Sequence, residues 1–323
     1  MQNLTGLQKQ LCTLLQQGIP ICEKPFTKIA NDLDVSTEQV LDNIRQLKEA
    51  GIIRRFRAII NHRTLGNAST LVTAHVTEDK LQDVVKAVNA LSGVSHNYLR
   101  EHFYNMWFTL QVQTTDEIKT ILTDLQKCFG IEFHSMPVLR TFKLNVRFNI
   151  SDNKQNPKNI ISKPGNEKVL LNEDEKYVLS YLQNEIEITD NPFSFLISEK
   201  LTIENILEIV QQLFSKGVIR RIAAVIDYME VGFTSNVLFA CEVSQDRIIP
   251  IGEELANSQL VSHCYERNNF DGWPYNLFAM MHAQSMDEIH NELNEFIKKE
   301  NVTSYQLLPT ISELKKEPVY HKF

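Results

Sequence analysis

Gly51-Ile-Ile-Arg-Arg-Phe-Arg-Ala-Ile-Ile60 returns later in the chain as Gly217-Val-Ile-Arg-Arg-Ile-Ala-Ala-Val-Ile226, 166 residues on. The same offset carries Gly66 onto Gly232. Farther along, Val94-Ser-His-Asn-Tyr-Leu-Arg100 returns as Val261-Ser-His-Cys-Tyr-Glu-Arg267 at an offset of 167, and Glu117-Ile118 matches Glu288-Ile289 at 171. Matches of this length in one order mean that a single unit has been written twice. The rising offset places about four extra residues in the second copy just after Arg267.

Each copy opens with helical patterning. The first has helices over 4–17, 26–33 and 36–50, with Ser36 as N-cap and Val40, Leu41, Ile44 and Leu47 at helical spacing. Gly51 ends the third helix and a strand follows, so three helices and a hairpin read as a winged helix-turn-helix. The second copy repeats this with helices over 173–183, 193–201 and 203–216 and a strand over 218–226.

The remainder of each copy alternates strand and helix in the order β-α-β-β-α-β, the ferredoxin-like arrangement. In copy one the strands fall near 69–76, 94–102, 106–113 and 132–139, with helices over 80–91 and 115–129. In copy two the strands fall near 235–243, 261–267, 275–282 and 305–311, with helices over 247–257 and 287–299. The expected fold is therefore α+β, a tandem duplication of winged helix-turn-helix plus ferredoxin-like domain. Its boundaries are 1–65 and 66–148 for copy one, a polar linker over 149–172 containing Pro157, Pro164 and Gly165, then 173–232 and 233–323 for copy two.

Composition narrows the function. The chain has 323 residues, 43% hydrophobic and 23% charged, with a net charge of −7. Residues 1–150 carry +3 and the remainder −10, which is no electrostatic footprint for a nucleic acid. No signal peptide and no membrane-length apolar run is evident, so a cytoplasmic location and no membrane partner are expected. Five cysteines without a CxxC pair argue against a disulfide framework or an intrinsic metal site.

A winged helix joined to a ferredoxin-like domain resembles the leucine-responsive (Lrp/AsnC) regulators, which implies ligand-responsive binding of DNA. The third helices argue against that function. In copy one Arg45 and Lys48 face Glu38, Asp42 and Glu49; in copy two Lys216 faces Glu204 and Glu208. Reading DNA needs cations against phosphates there.

Strand parity picks out a different site. Side chains alternate faces along a strand, so His96, Tyr98, Arg100 and His102 share one face, and His263, Tyr265 and Arg267 share the corresponding one. An exposed sheet face could carry such residues without meaning, but the spacing survives in both copies while its neighbours diverge. Cys264 is adjacent to His263 and points the other way, so the two cannot form a nucleophile–base pair. The pairs Arg54-Arg55 and Arg220-Arg221 stand where each helix-turn-helix meets its strand, placing one member of each towards a pocket between domains. Trp273-Pro274-Tyr275-Asn276, with its counterpart Tyr104-Asn105-Met106-Trp107, reads more readily as core than as a ligand stack, and the single histidines His134 and His282 are weak signals.

Together, Arg54-Arg55-Phe56-Arg57-Ala58, Ser95-His96-Asn97-Tyr98-Leu99-Arg100, Ser262-His263-Cys264-Tyr265-Glu266-Arg267 and Trp273-Pro274-Tyr275-Asn276-Leu277-Phe278 resemble the signature stretches of siroheme decarboxylases. The resemblance covers the whole chain apart from the linker, in the form that fuses two homologous subunits. It implies loss of carbon dioxide from two acetate side chains of siroheme to give 12,18-didecarboxysiroheme, on the way to haem or to the haem of nitrite reductase. No cofactor is implied beyond the iron that the substrate carries.

That chemistry suits the residues. The pyrrole ring accepts the electron pair left by carbon dioxide once it is protonated, which calls for a general acid: His96 or His263, with Tyr98 or Tyr265 as relay. A neutral imidazole of either histidine could instead ligate the substrate iron. Arginine forks suit the remaining carboxylates, which makes Arg54, Arg55, Arg100, Arg220, Arg221 and Arg267 the candidate anchors, with His102 and Trp273 as further substrate contacts. Pairing of the two repeats within one chain is expected, and homodimerisation stays open. The competing readings are the DNA-binding regulator and a haem sensor or carrier without turnover.

Overall fold

The structure is a computed structural model and describes residues 4–144, 150 and 168–323. Most of the expected linker, at 149 and 151–167, lies outside the described residues. Its last residues are tied down: the Val169 amide donates to the Thr64 carbonyl at 2.7 Å, and Val169 and Leu171 pack on the helical core.

The first repeat begins with α1 (Gly6–Gln17), α2 (Pro25–Asp32) and α3 (Thr37–Glu49). Ser36 caps α3 in a capping box with Gln39, satisfying two of the backbone donors left open at a helix start. Gly51 adopts φ 75°, a conformation open to glycine, and turns the chain into β1 (Ile53–Ile60). The second repeat has α6 (Glu173–Leu182), α7 (Ile203–Ser215) and β6 (Ile219–Ile226).

Two expectations need correction here. The helix expected over 193–201 is only a 3-10 turn at Ser194–Leu196. Ser198 breaks it, its hydroxyl accepting from the Lys200 and Leu201 amides in competition with helical bonding. The wing is also not a hairpin within each repeat. β1 pairs antiparallel with β6 of the other repeat, from Ile53 opposite Ile226 to Ile60 opposite Ile219. Phe56 and Ala58 on one strand, and Ile222 and Ala224 on the other, then face a single core shared by both helical units.

The ferredoxin-like units carry β2 (Ala68–Ala74), α4 (Glu78–Ala90), β3 (Val94–Arg100), β4 (Met106–Val112), α5 (Thr115–Phe129) and β5 (Phe133–Leu144) in the first repeat. The second has β7 (Ser235–Cys241), α8 (Ile248–Asn257), β8 (Val261–Arg267), β9 (Leu277–Ala283), α9 (Met286–Glu300) and β10 (Tyr305–Lys316). β5 and β10 each run about five residues beyond the expected end, and the extensions pair with the other repeat: β5 with β8, β10 with β3. The result is a closed barrel in the order β10-β3-β4-β2-β5-β8-β9-β7. Closure leaves the barrel itself without a sheet edge. The helices cover the outside through two apolar clusters, and a third cluster fills part of the interior.

Candidate functional site

The barrel has two unlike ends. At one end the extra residues of the second repeat fold across as a plug, with Trp273 buried against Trp107, Phe278 and Leu308. Phe270 from the same loop stacks on His134 of the first repeat, ring centroids 3.9 Å apart. His102 belongs to this floor, edge-on to Trp273 at 5.4 Å and accepting at Nδ1 from the Tyr104 amide. The structure therefore does not bring His102 and Trp273 to the other site residues.

The other end faces the β1–β6 ribbon, and there the remaining residues gather. His96, Tyr98 and Arg100 on β3 and His263, Tyr265 and Arg267 on β8 all point into the barrel. Each motif has the same internal geometry. The Arg100 guanidinium lies 5.2 Å from the Tyr98 ring centroid and donates to the Leu308 carbonyl; Arg267 lies 4.9 Å from Tyr265 and donates to the Met136 carbonyl. His96 takes a bond from or to the Ser95 hydroxyl at Nδ1, and His263 has the same relation to Ser262. Cys264 points outward, its thiol against the Gly252 carbonyl, and burial raises its pKa well above the usual thiol value.

Burial dominates the electrostatics. It lowers His96 to about 4, helped by Lys316, Arg57 and Arg54, and His263 to about 3, helped by His96, Arg220, Arg221 and Arg267. Burial also lowers Arg100 and Arg267 to about 10, and raises Tyr98 and Tyr265. At neutral pH the mouth therefore holds neutral imidazoles, neutral phenols and charged guanidiniums.

The ribbon supplies the roof. Arg54 ion-pairs with Asp227 and Glu313, Arg55 donates to the Tyr320 hydroxyl at 3.3 Å, and Arg220 donates to the Asn61 side-chain oxygen at 2.8 Å. Arg221 acts on His263 through its charge.

Several residues join the site that the sequence did not single out. Arg63 donates to Thr141 Oγ1 at 3.5 Å. Tyr228 donates to Glu313 and accepts from Asn236, beside His282. His62 stands against Ser69 Oγ at 3.2 Å, and His321 reaches over from the carboxy-terminal segment to Asn67 and Gln111. The signal for Arg63 and His62 was available, since both follow the ribbon strand directly. Glu313 and His321 arrive from sequence positions that only barrel closure brings near.

A fused pair of ligand-binding domains of regulator type, closed into one barrel around paired His-x-Tyr-x-Arg strands, is the class of protein these features define. The model of the AsnC-like ligand binding domain matches residues 64–143 and 230–315, and that of the siroheme decarboxylase NirDL-like HTH domain matches 8–54. The chain is 30% identical to a siroheme decarboxylase of Hydrogenobacter thermophilus over 95% of its own length and 92% of that protein. It is 37% identical to a siroheme decarboxylase alpha subunit of Desulfovibrio desulfuricans, over 46% of this chain and 87% of that one. A crystal structure of the siroheme decarboxylase NirDL superposes with a TM-score of 0.73 at 29% identity, covering 97% of this chain and 94% of that one. The same protein in complex with an iron-uroporphyrin III analogue gives 0.72, covering 98% and 94%. The chain belongs to the siroheme decarboxylase family.

Proposed function

We propose that this chain decarboxylates two acetate side chains of siroheme, in the cytoplasm, at the barrel mouth beneath the ribbon. The observation that carries the reading is the pair of inward-facing His-x-Tyr-x-Arg strands, which place neutral imidazoles beside unneutralised guanidiniums. The family supplies the substrate class, and the chemistry of the mouth suits it.

In each step the bond between the side-chain methylene and its carboxyl carbon breaks. Carbon dioxide leaves, the electron pair enters a pyrrole ring that has accepted a proton, and a methyl group remains after proton transfer to the methylene carbon. The ring needs a proton donor close by, and His96 and His263 are placed for it, with Tyr98 and Tyr265 alongside as relays. The bound polycarboxylate would itself raise the affinity of a neighbouring imidazole for a proton. A neutral imidazole is also the form that binds iron. Arginine holds the carboxylates that are kept, whereas a firm grip on the one being lost would raise its barrier. The electron sink is the macrocycle, so no further cofactor enters the reaction.

Anaerobic incubation of the protein with siroheme, followed by mass analysis of the tetrapyrrole, tests this. Sequential loss of two carbon dioxide units is expected. A spectral shift without mass change would make the protein a tetrapyrrole binder instead.

A further inference from the structure

The two halves of the mouth descend from one sequence, and the strand ladders align them position by position. Opposite Tyr98 on the partner strand stands Glu313; opposite Tyr265 stands Thr141. Opposite His96 stands Lys316, and opposite His263 stands Leu144. On the ribbon, Arg54 reaches Asp227, while its repeat counterpart Arg220 reaches Asn61, which holds the position of Asp227. Arg63 stands where the second repeat has Met229. Both carboxylates of the His96 half are thus neutral residues in the His263 half, which also carries one cation more on its ribbon connection.

The physical consequence is an imbalance across one cavity mouth. Near His96, the cations Arg54 and Lys316 have Asp227 and Glu313 as partners and Arg57 feels Glu185, while the buried Arg100 has no carboxylate beside it. Near His263, Arg63 acts through its charge on both Arg220 and Arg267, the Tyr265 phenol beside them is neutral, and among the described residues no carboxylate is paired with them. Arg267 and its counterpart Arg100 are both buried with no hydrogen-bond partner at Nε, so the difference between the halves lies in Arg63 and Arg220. Guanidinium stays protonated under such conditions, so the cluster keeps its charge at a cost to folding. Convergent guanidiniums with donors to spare are the side chains that bind carboxylates in forked geometry.

We propose that the His263 half receives the carboxylates of the tetrapyrrole, with Arg63, Arg220 and Arg267 as the anion-binding triad, whereas in the His96 half Asp227 and Glu313 offset Arg54 and Lys316. The inference rests on the siroheme reading and deepens it, because it selects one half of the mouth and adds Arg63 to the anchors.

The test is anaerobic titration of the full-length protein with siroheme, followed by absorbance at low and moderate salt. Arg63→Gln removes one anchor; Thr141→Glu installs in the His263 half the carboxylate that the His96 half carries. Both are expected to weaken binding about 10-fold to 100-fold, the range of a lost charge-assisted contact, and to flatten the salt dependence. Glu313→Gln, which frees Arg54 and Lys316 from their partner, is expected to bind more tightly than the parent. A thermal melt of each variant separates lost binding from lost folding, and Arg63, on a partly exposed connection, guards the test against a Thr141→Glu variant that fails to fold. Unchanged binding in Arg63→Gln, or equal weakening by Glu313→Gln, overturns the proposal. Mass analysis of the parent reaction keeps the two claims apart. Arg63-dependent binding without loss of carbon dioxide sinks the decarboxylase reading alone, turnover with Arg63-independent binding sinks the triad alone, and no binding of siroheme sinks both.

Discussion

Arg100 lies over the face of Tyr98, its guanidinium carbon 5.2 Å from the ring centroid, with 2% of its surface exposed and no carboxylate among its partners. A charge held inside a barrel on carbonyl, hydroxyl and ring contacts is a costly arrangement. Replacing it by an apolar chain of similar length, Arg100→Met, should therefore raise the thermal midpoint by a few degrees, on the order of 1 kcal/mol for a protein of this size. Differential scanning calorimetry checks the direction. A lower midpoint would mean that the carbonyl and ring contacts outweigh desolvation.

Much of this arrangement is legible in the sequence, and the limit is physical. The duplication, the helix Thr115–Phe129, the strand Val261–Arg267 and the shared face of His96, Tyr98 and Arg100 and of His263, Tyr265 and Arg267 are legible in repeats and local periodicity, and the structure adds that this face points into the barrel. Pairing between repeats leaves no local trace. β1 reads as a wing strand whether its partner is its own hairpin or β6, and the extensions of β5 and β10 earn their hydrogen bonds only across the barrel seam. For the same reason Glu313 was invisible as a partner of Arg54, 259 residues away. His102 takes no part in the shared face because β3 ends at Arg100, so the alternation expected to run to 102 stops two residues short of it. At about 3.3 Å per residue, the strand carries Arg100 on the order of 13 Å from His96 before His102 is reached.

The histidines make the fold sensitive to acid. Burial is the first cause in each case: it holds His62, His263 and His282 at about 3 and His96 at about 4. In the unfolded chain each binds a proton near 6.5. Between those values the unfolded state takes up more protons, so stability rises with pH there. The contribution should be intact above pH 6.5 and should be lost progressively as pH falls towards 4. Urea unfolding at a series of pH values reads this directly. His282→Gln should flatten part of the slope, and an unchanged slope would count against a buried neutral His282.

The same neutral imidazoles shape turnover. A general acid must be protonated to act, and the free protein disfavours that form, whereas bound carboxylates favour it. The loss of kcat/KM with rising pH should therefore begin at lower pH than the loss of kcat, since the two profiles report the free protein and the complex. His263→Asn and His96→Asn, measured separately, should each lower kcat by about 10² or more if that ring donates a proton. If neither variant changes kcat or the pH profile, the proton comes from elsewhere and the tyrosines become the next candidates.

Ancestry with DNA-binding regulators gives the last prediction. A reading helix needs free cations, yet in α3 Arg45 is paired with Asp42 at 2.9 Å and Lys48 with Glu185 at 2.9 Å. In the second repeat Lys216, the residue that caps α7, is paired with the buried Glu175. Its preceding helix is reduced to the turn Ser194–Leu196, which removes the element that would brace α7 across a DNA backbone. Duplex DNA should therefore show no retention in a mobility-shift assay at low salt, where phosphate contacts are strongest. Salt-sensitive retention would require that these ion pairs open on DNA, and Asp42→Asn together with Glu185→Gln should then strengthen it.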